Sequence, residues 1–352
     1  KQHSTDLCIF ALKSVVGFYN SNGSPVSCCF LDASKAFDRV NHWTLFQKLL
    51  QRNVPVIIVR ILCFWYRQQV ICIKWGKSTS SCFNVTNGVR QGSLLSPKLF
   101  AVYVDELSVL LSGINAGCFI NHVSFNNLFY ADDLCILAPS AAALQDLLII
   151  CENYGVSHDI KFNPTKSQCV IFRPRSCNSI FPQVFLNNQS IPYVKEAKYL
   201  GVLLNEKLND GDEILKQRKG LYTRCNTILR KFKKCSPNVK KQLFTSFCTN
   251  FYCLPLWCTY RVADFSKVKV AYNNVFRTLF KLDRRVSASL MFVENNVLNF
   301  DSLVRRFIFG FRERINMSQN ILIVTICESF ATRHGPLFEH WDHLLYTNSI
   351  NT

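Results

Sequence analysis

Two neighbouring carboxylates, Asp132 and Asp133, interrupt an apolar segment that otherwise runs through residues 128–137. A flat strand would send adjacent side chains to opposite faces. The pattern therefore predicts a hairpin: a strand over 128–130, a tip at Asp132-Asp133 that presents both acids near one place, and a return strand over 134–137. Far upstream, Asp32 closes another apolar run, residues 26–31, with small residues after it. Three carboxylates at strand ends, without acidic surroundings, point to a divalent-cation site. Unit charges about 4 Å apart repel by roughly 4 kcal/mol at an effective dielectric of about 20, so such a cluster needs cations. Hard oxygen donors with room for phosphate favour magnesium. A double aspartate in a hairpin is also ordinary turn chemistry, so the rest of the chain has to decide.

At 352 residues the chain is long enough for two or three domains, and 49% hydrophobic with 13% aromatic residues excludes a largely disordered protein. The longest apolar run, residues 54–66, is cut by Arg60 and falls short of the roughly 20 residues a membrane span needs. The chain opens on Lys1 with no signal-like segment, and so reads as a fragment of a soluble, intracellular protein. Seventeen cysteines are an odd number without a Cys-x-x-Cys pair, and Cys72, Cys135, Cys151 and Cys169 each sit singly in an apolar segment. They read as reduced core residues. His340, His343 and Cys327 match no common zinc spacing and read as structural.

The charge is more telling. Lys and Arg outnumber Asp and Glu 41 to 23, giving a net charge of +18, and residues 216–241 hold ten basic residues and no acid. That run reads as an amphipathic helix with Ile214, Leu215, Leu221, Tyr222, Cys225, Ile228, Leu229 and Phe232 inward. A helix that buries one face and projects cations from the other suits a polyphosphate backbone. An acidic membrane surface would fit the charge too, but no anchor supports it.

Along the chain, residues 6–18 have helical spacing and 26–31 read as a buried strand. A helix follows with Trp43, Phe46, Leu49 and Leu50 on one side, then a helical segment over 54–67. Strand-like segments at 70–75 and 82–85 lead to a turn at Asn87-Gly88. Ser96-Pro97 reads as an N-cap followed by a first-turn proline, opening a helix with Leu99, Phe100, Tyr103, Leu107, Leu110 and Leu111 inward. Ser140 opens another, with Leu144, Leu147, Leu148 and Cys151 inward and Gly155 near its end. Strands resume at 160–162, 169–172 and 198–204. A polar turn over 205–212 then separates this mixed region from a helical, basic remainder. The expected class is an α+β domain followed by an α domain, with a boundary near residue 206.

Five segments stand in order: Phe30-Leu31-Asp32-Ala33-Ser34-Lys35-Ala36-Phe37-Asp38-Arg39-Val40; Gly88-Val89-Arg90-Gln91-Gly92-Ser93-Leu94-Leu95-Ser96-Pro97; Phe129-Tyr130-Ala131-Asp132-Asp133; Asn163-Pro164-Thr165-Lys166-Ser167; and Lys198-Tyr199-Leu200-Gly201-Val202. Together they closely resemble the reverse transcriptase of non-LTR (LINE-type) retrotransposons over residues 1–206. Arg90-Gln91-Gly92 with Leu95-Ser96-Pro97 fits that branch better than retroviral enzymes, and the Gly-Asp-Asp of RNA-templated RNA polymerases is absent.

The resemblance implies a right-hand polymerase: a palm with partial fingers over 1–206 (the fingers part about 41–88), a helical thumb-like region over 207–300, and a helical carboxy-terminal region of unassigned role over 301–352. It implies that Asp32 and Asp132 hold two magnesium ions about 3.5–4 Å apart, with Asp133 completing the charge and the Ala33 carbonyl as a further ligand. Lys35, Phe37, Gln91 and Gly92 would meet the incoming nucleotide, Phe37 as the aromatic gate against a ribose 2′-hydroxyl. Gly88 and Gly92 would let backbone approach nucleotide and template. Lys166 would neutralise or protonate the leaving pyrophosphate. Tyr130, Tyr199, Leu200 and Gly201 would hold the primer end, and Lys216, Arg224, Lys231, Lys233 and Lys234 the primer–template backbone. RNA template, DNA primer and deoxynucleoside triphosphates are the implied partners, in nucleus or cytoplasm. The alternative reading is a catalytically inactive or domesticated nucleic-acid-binding relic of such an element. An upstream part of the fingers and an endonuclease are expected to lie outside this sequence.

Overall fold

The computed structural model describes residues 4–346 apart from 175–176 and 178–179; residues 1–3, and 347–352 of the expected carboxy-terminal region, lie outside the described residues. The chain divides into two compact units, Gly23–Lys195, and Lys1–Asn22 together with Glu196–Thr352. The packing thus changes at 195/196, ahead of the change in composition at 206.

In the unit Gly23–Lys195, four antiparallel strands form a sheet: β1 (Val26–Asp32), β2 (Asn127–Tyr130), β3 (Asp133–Ala138) and β4 (Gln168–Phe172), in the order β4-β1-β3-β2. β1 has a partner on each side and is buried until its last residue, which suits a sequence that is apolar up to that point apart from Ser27. Register assigns the faces, because side chains alternate along a strand. Leu31 pairs with Leu134 and Cys29 with Ile136. These four join one core with Leu99, Phe100, Tyr103 and Leu107 of helix Ser96–Ser112 and Leu144, Leu147, Leu148 and Cys151 of helix Ala141–Ser157. Helices on one face of an antiparallel sheet make this the expected α+β palm.

Local signals held to different degrees. Ser140 caps its helix, accepting from the Ala143 N–H. Ser96 does not: it is the first helical residue, and its hydroxyl donates to the Arg90 carbonyl at 2.6 Å. In helix His42–Gln51 the buried stripe is Leu45, Phe46 and Leu49, while Trp43, at 67% exposure, and Leu50 turn outward, and Leu110 likewise faces out of its helix. The ribbon after helix Val56–Arg67 reverses at Gly76-Lys77, where Trp75 pairs with Ser78, and not at Asn87-Gly88.

His158 stacks on Tyr154 at 3.8 Å between ring centroids, and burial followed by the Lys48 ammonium holds its imidazole below the ordinary range. The folded state therefore binds this proton less readily than the unfolded chain does. Stability should be full above about pH 6.5 and decline as pH falls through that value toward the lower folded pKa. Unfolding midpoints measured from pH 8 to 5 should show this slope, and His158→Gln should reduce it, leaving the share of His340, whose imidazole burial also holds below the ordinary range.

In the second unit, helix Thr5–Ser21 packs Phe10 against Phe311 and stacks it on Trp341, whose indole N–H donates to the Pro255 carbonyl at 2.6 Å. Lys13 forms a buried ion pair with Asp210 and also donates to the Leu256 carbonyl at 2.8 Å. Asp210 in turn accepts from the backbone N–H groups of Cys258 and Thr259 at 2.9 and 3.1 Å. Hairpin β5 (Glu196–Tyr199) and β6 (Val202–Asn205) belongs here because its backbone is tied to the helices. Leu203 N–H donates to Glu213 at 3.0 Å, and Tyr252 O–H to the Leu200 carbonyl at 2.8 Å. The basic stretch is not one helix. Gly211–Lys231 ends before Phe232, and Ser236 caps a new helix, Pro237–Leu243, with the proline in its first turn. The Ser-Pro pair starts the second helix: Ser236 caps it and Pro237, which has no N–H, suits its first turn. Tyr222 points outward as well. Among the described residues no helix is long and apolar enough to cross a membrane.

Candidate active site

The open end of the sheet collects the acids. Asp32 pairs directly with Asp133, and Tyr130 with Asp133, so Ala131 and Asp132 form a two-residue turn between β2 and β3. Directly opposed residues share a face, with Cβ atoms about 4.5–5.5 Å apart. Leu31 and Leu134 point to the helices, so Asp32 and Asp133 lie on the other face, ending a row whose earlier members, Cys28, Phe30, Cys135 and Leu137, are buried. Ala131 carries φ 54°, a left-handed conformation that costs a residue with a Cβ about 1–2 kcal/mol. Such outliers concentrate at functional tips.

The Asp133 carboxyl is raised above its ordinary pKa by burial first, then by the charges of Asp132 and Asp32. The acids repel one another without forming a ready chelate. Among the described residues no group of three Asp, Glu, His or Cys side chains is already set to hold a metal. The register makes Asp32 and Asp133 the same-face pair, with Asp132 beside them at the turn.

Asp32 is held from behind by the loop Asn163-Pro164-Thr165-Lys166-Ser167. Its N–H donates to Ser167 Oγ at 3.1 Å, and its carbonyl accepts from the Asn163 N–H at 2.8 Å. The Ser167 hydroxyl, fully buried, donates onward to the Asn163 carbonyl at 2.7 Å. The loop is itself closed by Asn163 Oδ1, which accepts from the backbone and hydroxyl of Thr165. Lys166 rides on this clamp with its side chain exposed, and Ala33 forms a bridge to Phe162. Sequence reading gave Ser167 and Asn163 no role. Their signal was an asparagine two residues before a threonine, a side-chain turn, but nothing in the sequence shows that it closes onto Asp32.

A second cluster follows β1. Lys35, exposed and left-handed at φ 53°, leads into a short turn of helix at Ala36–Arg39. Phe37 stacks on buried Phe100 at 4.5 Å, and its carbonyl accepts from the Val89 N–H. Gly88 lies so close that an added Cβ would meet the Asp38 carbonyl oxygen at 2.8 Å, at a φ of +92°. Only glycine fits. Gln91 donates to Asp38 at 3.4 Å, and Gln91 and Gly92 line a cleft of about 410 Å³ with Trp65, Tyr66, Gln69 and Arg90. The structure thus joins Phe37 to Gly88–Gln91, and Asp32 to Asp132, Asp133 and the Lys166 loop.

The remaining candidates lie in the second unit. Tyr199 is buried, and Leu200 and Gly201 form the β5–β6 turn, at φ 45° and 84°. Lys216 is engaged by Glu213 and the Gly201 carbonyl. Arg224 is half-buried, its Nη1 donating to the Asn250 carbonyl, and burial lowers its pKa. Lys231, Lys233 and Lys234 are exposed.

Residues 3–204 match the family model described as reverse transcriptase (RNA-dependent DNA polymerase). Among curated proteins, "RNA-directed DNA polymerase from mobile element jockey" of Drosophila funebris is 26% identical over 266 residues, 71% of this chain and 28% of that protein. "Probable RNA-directed DNA polymerase from transposon BS" of Drosophila melanogaster is 21% identical over 304 residues, 83% and 33% of the two. The Pol polyprotein from type-1 retrotransposable element R1 of Bradysia coprophila is 31% identical over 132 residues, 36% and 12%. The chain spans a third or less of the length of these relatives. A solved telomerase from Candida albicans overlays 100% of this chain and 54% of its own at 12% identity, with a TM-score of 0.45. With the acids, the clamp loop and the glycine contact in place, the family match has a structural counterpart: the chain belongs to the reverse transcriptase (RNA-dependent DNA polymerase) family, in its non-LTR, LINE-type branch.

Proposed function

We propose that this chain is the catalytic part of an RNA-directed DNA polymerase that extends a primer 3′-hydroxyl with deoxynucleotides on an RNA template. The observation that carries the reading is the pairing of Asp32 with Asp133 beside Asp132 at a left-handed turn. In-line displacement at phosphorus gathers negative charge, which two divalent ions stabilise on the attacking and leaving oxygens. The donor set fits such ions. All three side chains are hard oxygen ligands, and the charge that raises the Asp133 pKa is what a cation relieves. Asp32, Asp132 and Asp133, with the Ala33 carbonyl, would hold magnesium.

The other roles are part of the same proposal. Phe37, fixed by its stack on Phe100, is the gate that rejects a 2′-hydroxyl. Gln91, Gly92 and Lys35 meet the nucleotide, and Lys166, carried by the loop that grips Asp32, approaches the pyrophosphate. Residues 23–195 supply the palm and part of the fingers, 207–300 the thumb, with β5–β6 at the primer end and exposed Lys231, Lys233 and Lys234 along the backbone of the duplex. All seventeen cysteines are free, which suits a reducing nuclear or cytoplasmic setting.

The test is primer extension by the whole chain on an RNA template with deoxynucleotides. Incorporation should depend on magnesium and stop with chelator; template-dependent incorporation that survives chelation, or none at any magnesium concentration, overturns the reading. Within it, Ser167→Ala leaves the Asp32 N–H without its partner, a loss of about 1–3 kcal/mol. Incorporation should fall about ten- to a hundredfold, with the magnesium requirement raised and the nucleotide KM little changed. Ser167→Thr should restore most of it.

A further inference from the structure

Of the seventeen free cysteines, only Cys72 and Cys82 are exposed, and these two face one another with sulfurs 2.6 Å apart. The ribbon that carries them is built for the encounter. Ile71 pairs with Phe83, but Lys74 pairs with Thr79, so the returning strand holds one extra residue between the two ladders. A bulge of this kind bends a ribbon and increases its twist. The Val85 N–H donates to the Gln69 carbonyl, which fixes the hydrogen-bonded pairs at 69/85 and 71/83. Cys72 and Cys82 therefore fall at the alternate position, where opposed side chains of an antiparallel pair stand closest. Their surroundings are wet and basic, with Lys74 and Lys77 exposed on the same ribbon. The other cysteines are buried or half-buried, out of easy reach of a dissolved disulfide.

We propose that Cys72 and Cys82 are a redox modification site, closing into a reversible intramolecular disulfide by exchange with a low-molecular-weight disulfide. The thiolate of one cysteine attacks a sulfur of the small disulfide, forming a mixed disulfide and expelling one thiolate. The second cysteine, as thiolate, attacks the protein sulfur of that mixed disulfide, forming the Cys72–Cys82 bond and expelling the other. Two protein thiols are oxidised, the small disulfide is reduced to two thiols, and the two protein protons end on those thiols. The closed form staples the ribbon across its bulge; a small-molecule thiol reopens it. This site is independent of the polymerase reading.

The test incubates the whole chain with oxidised glutathione, quenches in acid, alkylates the remaining thiols and digests with trypsin. Cleavage after Lys74 and Lys77 separates the two cysteines, so their peptides stay together only through a disulfide. Expected are the joined peptides, lighter by two hydrogens than the sum of the reduced ones, with the other cysteines alkylated. Cys72→Ser should instead stop at glutathione on Cys82, and Cys82→Ser at glutathione on Cys72. The wild type should hold at least about tenfold less mixed disulfide than either variant, because the second thiol attacks intramolecularly. The proposal fails if Cys72 and Cys82 are alkylated as completely as in untreated protein, if wild type and variants accumulate mixed disulfide equally, or if either cysteine is joined to a different one.

Discussion

Asp132→Ala should reduce magnesium-dependent primer extension by about a thousandfold or more while leaving the fold intact. Metal-ion stabilisation of phosphoryl transfer supplies several kcal/mol, and each 1.36 kcal/mol is about tenfold in rate. The structural side of the prediction has the opposite sign. Asp132 is exposed, and its charge is one of those that raise the Asp133 carboxyl. Removing it relieves repulsion, so the unfolding midpoint at neutral pH should hold or rise. Asp32→Ala should be as inactive. A rate within tenfold of wild type for either variant would remove the acids from the chemistry; a collapse of the midpoint alongside the rate would make their role structural.

The largest effect on stability is expected at Lys13. Its ammonium is buried against Asp210, and the two groups tie helix Thr5–Ser21 to the Leu256 carbonyl and to the backbone of Cys258 and Thr259. Burial opposes the charge on Lys13, yet its pKa lies above the ordinary value because Asp210 prevails. Lys13→Met removes one partner and leaves a buried carboxylate, a loss of about 3–5 kcal/mol. That is a large part of the 5–15 kcal/mol a typical domain has. Urea unfolding should show a lower midpoint with little change in slope. A shift under about 1 kcal/mol would mean that the pair is solvated in solution.

How much of this was written in the residues depends on the range of the interaction. The hairpin at Asp132-Asp133, the buried strand ending at Asp32 and the Ser140 cap are local, and their signals lie within a few positions. Register is not local. No pattern in the sequence shows that Asp133, rather than Asp132, stands opposite Asp32, or that Ser167 reaches back across the sheet to the Asp32 N–H. Gly88 illustrates the same limit. Asn87-Gly88 reads as a turn after two strand-like segments, but that the Asp38 backbone is what presses against Gly88, and that the ribbon itself reverses at Gly76-Lys77, is not legible locally. The basic stretch has the charge pattern of one helix, but Ser236-Pro237 within it is a start signal of the same form as Ser96-Pro97 and opens a second. Cys72 has the setting of a single core thiol in the sequence, because its exposed partner Cys82 is visible only once the strands are paired.

Helix Thr5–Ser21 completes a unit whose other members begin at Glu196. During translation that helix leaves the ribosome well before Phe311 and Trp341, the rings that cover Phe10, have been made. The four strands of the intervening sheet, by contrast, are all complete by Phe172. A ribosome stalled before Phe311 would therefore leave Phe10 without its covering rings, so the helix nearest the start of this unit depends on residues made some three hundred positions later.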